Sequence, residues 1–296
     1  YQNPRRKAGR LHGMGGVDSY SDNGMASVLL AIMPFMGSFF WEGKKREKMI
    51  CIMAAPFVLN AFILCNSRGA FLGLLVTSMV ALMYSKGSLR RKIFLTIIPG
   101  AILFISLMDP QFIARQKTIQ NYEQDGSASE RIVSWKGALH LIQDYPLGTG
   151  GGGYEALSPI YIPEVVEAHD GAERNVHSTF LQIATDWGIS GLVFFMGMLI
   201  TTVRELHKIR STPPSTPDER RTYADSLAIE LGIVGSMVAG IFSSRVYGEA
   251  TYWLPAFAAV LSNIHASERM KTREGVSNVS SLEKSKTEVV SPLKEI

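Results

Sequence analysis

Cysteine is almost missing from this chain. The two present, Cys51 and Cys65, sit in or at the end of one apolar run, a placement that argues against a structural disulfide or a zinc site. Charge is just as scarce inside the apolar stretches, where Glu230 is the main ionisable residue. No H-E-x-x-H string occurs, and no strand–loop–helix order of the kind a dinucleotide fold requires. A signal-peptide pattern is absent, and the chain opens at Tyr1 without an initiator Met, so a fragment lacking its N-terminal part is the expectation.

What is present is apolar and unevenly spread. The chain is 46% hydrophobic with formal net charge +4, and its mean hydropathy is +0.11. Uncharged runs alternate with short basic clusters, a membrane-protein pattern that explains the basic balance without nucleic acid. About seven runs have or approach the length of a membrane helix, at 25–41, 49–65, 69–84, 93–108, 178–203, 226–244 and 251–266. The fold class expected is therefore an all-α polytopic membrane protein, because lipid leaves an open backbone unsatisfied. The connections "EGKKREK", "KGSLRRK" and "RELHKIRSTPPSTPDERR" all fall on one face, which the positive-inside rule makes cytoplasmic. Five segments follow: an outer loop 1–24, spans 25–108, a large outer loop 109–176, spans 177–266, and a polar cytoplasmic tail 267–296, expected to be disordered. The basic residues Arg5, Arg6, Lys7 and Arg10 then fall on the outer side, against the rule. Either upstream spans overrule them or they bind something anionic.

The large outer loop has internal order. "SASERIVSWKGALHLIQDYP" predicts a helix opened by a Ser127/Glu130 capping box, with Ile132, Trp135, Leu139 and Ile142 as its apolar stripe. It runs into "PLGTGGGGY", where Gly148, Gly150 and Gly153 spell G-x-G-x-x-G. Because a helix and not a strand precedes them, a nucleotide loop is disfavoured. Two readings stay open. One is a flexible linker. The other is a tight loop whose backbone approaches a bulky acceptor, with Gly150, Gly153 and Tyr154 at its mouth.

Three arginines break positional tendencies: Arg68 and Arg245 at outer span ends, and Arg131 at a helix start, where the dipole disfavours a cation. Either they snorkel to lipid headgroups, or together they grip a phosphate, which the guanidinium fork suits. His177, where the loop re-enters the membrane, is either an interfacial histidine without a role or a base for a hydroxyl nucleophile. His169, Glu173 and His177 have i, i+4, i+8 spacing, but Gly171 interrupts a helix there and no metal site is expected. Tyr154, Glu155, Asp170 and Asp186 are weaker polar candidates.

Three blocks in order resemble the O-antigen ligase and polymerase family of bacterial inner-membrane proteins: "NSRGAFLGLL", "SASERIVSWKGALHLIQDYPLGTGGGGYEAL" and "HSTFLQIATDWGISGLVFF". "RQKTIQNYEQDGSASER" is similar to the subgroup of O-glycosylation ligases associated with exosortase systems. The resemblance covers about residues 12–265 and implies a glycosyltransferase of the C-like, membrane-embedded type. It implies transfer from an undecaprenyl-diphosphate-linked glycan to a hydroxyl of a lipid core, glycan or protein, on the periplasmic face, without metal or other cofactor. Arg68 and Arg131 match the family's functional arginines and His177 its histidine, while Arg245 rests on position alone. Trp187 stands where many members have an acidic–His pair. Ligases and polymerases share these motifs. A lipid-linked glycan transporter is the alternative from another class, but it calls for charges deep inside the spans.

Overall fold

Helix starts are set by local chemistry. Ser21 Oγ accepts the Gly24 N–H (3.1 Å) and Ser67 Oγ the Ala70 N–H (3.4 Å). Thr216 and Glu219 form a reciprocal capping box with Pro217 in the first helical turn. The computed structural model describes residues 6–7, 10–11, 21–85, 87–117 and 126–290, from 272 onward as backbone. Arg6 and Lys7 (β1) pair antiparallel with Arg10 and Leu11 (β2), a two-residue ribbon. Arg5 lies outside the described residues. All other regular structure described is helical: α1 (Asp22–Glu42), α2 (Lys45–Leu64), α3 (Arg68–Tyr84), α4 (Gly87–Leu107), α5 (Pro110–Lys117), α6 (Gly126–Asp144), α7 (Gly153–Tyr161), α8 (Pro163–Glu167), α9 (Thr179–Ile209), α10 (Pro217–Gly240) and α11 (Ala250–Val290).

The seven apolar runs appear as α1–α4 and α9–α11. Among the described residues, α1, α2 and α9 are long and apolar enough to cross a membrane, and α3 is a shorter apolar helix. Their outward faces remain apolar: Phe57 is 75% exposed on α2, Ile105 64% on α4 and Phe194 78% on α9. A continuous surface of that kind is costly in water and natural in lipid. Prolines inside α1, α2, α4 and α11 fit the same setting, since neighbouring helices and local adjustment satisfy the freed carbonyls.

The core is built around α10, which packs against α1 and α3. Small residues permit the approach: a Cβ on Gly73 would stand 2.7 Å from a Leu30 methyl and 2.8 Å from the Gly235 carbonyl oxygen. Glu230, 5% exposed, is paired with Arg210 and lies 3.0 Å from His207 Nε2, so the charge inside this run is satisfied locally.

The polar tail, for which composition suggests disorder, carries a helical backbone to Val290, with no proline between Pro255 and Pro292. Of the stripe read on α6, Ile132 (39% exposed) and Leu139 (52%) face outward, while Trp135 packs against the core. The buried face is instead Ser134, Ala138 and Leu141, because α6 packs on α7 and α9 with its small residues inward. The run 178–203 is not one continuous helix, since α9 breaks at Gly188 (φ 72°, ψ −178°). Ser127, half of the anticipated capping box, has no described side chain, and Glu130 turns to Arg174 and His169, 3.7 Å from each.

Candidate functional site

The break at Gly188 explains the glycine loop. Where a helix is interrupted, N–H and carbonyl groups lose their partners, and here residues 146–154 supply them. Thr149 N–H donates to Thr185 O (3.0 Å), Gly150 N–H to Asp186 O (2.8 Å), and Ile189 N–H to Pro146 O (3.0 Å). The two backbones touch so closely that a Cβ on Gly148 would stand 2.5 Å from Gly188 N, and one on Gly188 would stand 2.5 Å from Leu147 C. Both glycines also have positive φ, which a side chain disfavours.

Asp186, 1% exposed, completes the knot by accepting from the Gly152 and Tyr154 N–H groups (3.2 Å each) and from the Tyr247 hydroxyl (2.7 Å). Burial, and then that bond to Asp186, push the Tyr247 phenol up to about 12, so it stays protonated and donates. The loop is thus neither a free linker nor an open cradle, since most of its N–H groups are spent on the fold. Gly150 lies at its open edge with nothing within 4 Å of a Cβ position, whereas a Cβ on Gly153 would stand 2.0 Å from Thr149 Oγ1. Tyr154, expected at an acceptor mouth, is a core residue, 2% exposed, whose hydroxyl donates to Ser134 O (2.8 Å) and fixes α7 to α6.

The same end of the molecule gathers the charged candidates. His177 and Asn66 both adopt left-handed backbone (φ 54° and 51°), each just before a serine N-cap, Ser178 of α9 and Ser67 of α3. The His177 N–H donates to Asn175 Oδ1 (3.3 Å), which also accepts from the Ser244 hydroxyl. The Arg245 N–H donates to Thr179 Oγ1 (3.0 Å), docking the segment after α10 onto the start of α9. Phe242 lies against Gly69 and meets Trp135 in a tilted ring contact at 6.2 Å, which joins the start of α3 to the middle of α6. The N-termini of α3 and α9 therefore share one rim, where their dipoles add positive potential. Arg68, Arg131 and Arg245 are all on it, each partly buried and engaged by neighbours.

The half-buried His177 imidazole is pushed down to about 4, first by burial and then by Arg131 and Arg174. It is consequently neutral at physiological pH. Arg174 was not legible as a site residue, because nothing in "ERNVH" marks it; only the fold sets its charge against His177. Asp186 and Tyr247 carry a structural role that spacing did not show either. His169 bonds the Val165 carbonyl oxygen (3.0 Å) and faces Glu130, and no three-residue metal cluster exists among the described residues.

A family model described as O-antigen ligase matches residues 52–196. That match supports the resemblance to the O-antigen ligase family seen in the sequence blocks. No curated protein and no solved structure matches it. The O-antigen ligase segment runs from α2 into α9 and contains Arg68, Arg131, the glycine knot and His177. Arg245 and Tyr247 lie beyond it. The apolar helices and the family match together support a membrane protein of the O-antigen ligase and polymerase type.

Proposed function

We propose that the chain is a glycosyltransferase that moves a glycan from undecaprenyl diphosphate to a hydroxyl on a lipid core, polysaccharide or protein. All seven apolar helices span the inner membrane, and the rim faces the periplasm. The observation that carries the reading is a neutral, half-buried imidazole beside two guanidinium groups, where the N-termini of α3 and α9 meet. Such a place favours a multiply charged anion and suits proton transfer beside it.

Arg68, Arg131 and Arg245 bind the diphosphate and stabilise the charge that grows on it as the sugar–phosphate bond breaks. The acceptor oxygen bonds to the anomeric carbon, its proton passes to His177, and the departing electron pair stays on the undecaprenyl diphosphate. Attack opposite the leaving group inverts the anomeric centre. Because the diphosphate leaves readily and its charge is met by arginine, the step runs without a metal. His177 is a weak base while its neighbours are uncompensated cations. Binding of the anionic donor offsets Arg131 and Arg174 and strengthens it when the reaction needs it.

The test is glycan transfer in vesicles containing the full-length protein and a lipid-linked donor. His177→Ala is expected to lower kcat by at least about a hundredfold, and Arg131→Gln to lower kcat/KM by a similar factor. Undiminished transfer by His177→Ala would overturn the base assignment.

A further inference from the structure

The opposite end of the bundle holds a second polar site. A cleft of about 950 Å³ opens between the ends of α1, α3 and α9 and the starts of α4 and α10, lined by Glu42, Lys92, Arg210 and Arg220 with Tyr84 and Tyr223. Two carboxylates meet three cations there: Glu42 takes Lys92 at 2.5 Å and Arg220 at 3.9 Å, and buried Glu230 takes Arg210. One positive charge is in excess, and the Arg220 side chain is 44% exposed. The first turn of α4, Gly87 to Leu89, adds helix-terminal N–H groups to the same wall.

This cleft continues into an apolar groove of about 490 Å³ between α1, α3, α4 and α10. Leu89 lines both cavities, and the chain neighbours Trp41 and Glu42, Ile93 and Lys92, and Ala224 and Tyr223 fall one on each side of the junction. An anion-binding head joined to a hydrocarbon slot selects a molecule of the same build. The head cleft is far larger than a lone phosphate and offers the hydroxyls of Tyr84, Ser88, Ser211 and Tyr223, which suit a glycerol headgroup and ester carbonyls. We propose that cleft and groove together hold one anionic glycerophospholipid, drawn from the leaflet beside the Lys/Arg-rich loops.

The groove can be closed without disturbing its walls. Gly37 and Gly100 both line it, and nothing lies within 4 Å of where a Cβ on either would stand. The experiment is native mass spectrometry of the full chain purified in detergent, with phosphatidylglycerol, phosphatidylcholine or a long-chain isoprenoid phosphate added at equal concentration. Phosphatidylglycerol is expected to be retained over both others. Arg220→Gln should weaken that retention about fivefold, and the double variant Gly37→Leu/Gly100→Leu should abolish it while Gly37→Ala/Gly100→Ala keeps it. If the leucine variant fails to fold, Arg220→Gln, at a half-exposed side chain, still decides. Equal retention of phosphatidylcholine, preferential retention of the isoprenoid phosphate, or retention unchanged by Arg220→Gln would overturn the proposal.

Discussion

His177 is kept from its proton by its surroundings. Burial and two guanidinium groups hold it near 4, well below an ordinary imidazole. A group needed in its neutral form is lost as pH falls through its pKa, so kcat/KM should hold down to the region of pH 4. Donor binding offsets the arginines, so the acid limb of kcat should lie at higher pH than that of kcat/KM. Arg174→Gln removes one of the opposing charges and should move the kcat/KM limb upward, and a pH–rate profile in vesicles reads both effects. A limb unmoved by Arg174→Gln would show that Arg174 does not act on the base. The residue types were legible: a histidine at a span start and arginines at outer span ends stand out against positional tendencies. The pairing of Arg174 with His177 was not, because it follows from how the loop folds back on α9.

At the scale of elements, the glycine loop and the break in α9 are one structure. The loop, the helix before it and the apolar run after it are legible in the sequence. The interruption of that run is not, because a glycine in an apolar helix carries no signal of its conformation. Only the arrival of Pro146 to Gly150 shows why Gly188 is left-handed. The apolar stripe of α6 is divided between core and surface, because periodicity identifies a face and not what covers it. Gly148→Ala and Gly188→Ala each force a Cβ into facing backbone at positive φ and should cost at least about 2 kcal/mol. Gly197, helical with nothing within 4 Å of a Cβ, is the control, and Gly197→Ala should be neutral or slightly stabilising. Thermal unfolding in detergent separates the three. Equal midpoints would mean that the close approach is not maintained in the protein.

For the whole molecule, what decides function is which way the bundle faces. The helical class and the places of the apolar runs were readable because run length is a one-dimensional property. The packing of α10 between α1 and α3 was not, since the small-xxx-small spacing of Gly69 and Gly73 marks a contact face without naming its partner helix. Both clusters sit at helix ends, the His177 rim at one face and the Arg210 cleft at the other. Glycan transfer from an undecaprenyl-diphosphate carrier at the rim requires it to face the periplasm. The direct measurement is sided labelling in a background where Cys51 and Cys65 are replaced by serine, with a membrane-impermeant maleimide applied to intact spheroplasts. Ala172→Cys, exposed beside the rim, should label in intact spheroplasts, and Thr212→Cys, exposed at the other end, only after lysis. Labelling of Thr212→Cys from outside, with Ala172→Cys protected, would contradict the proposed function.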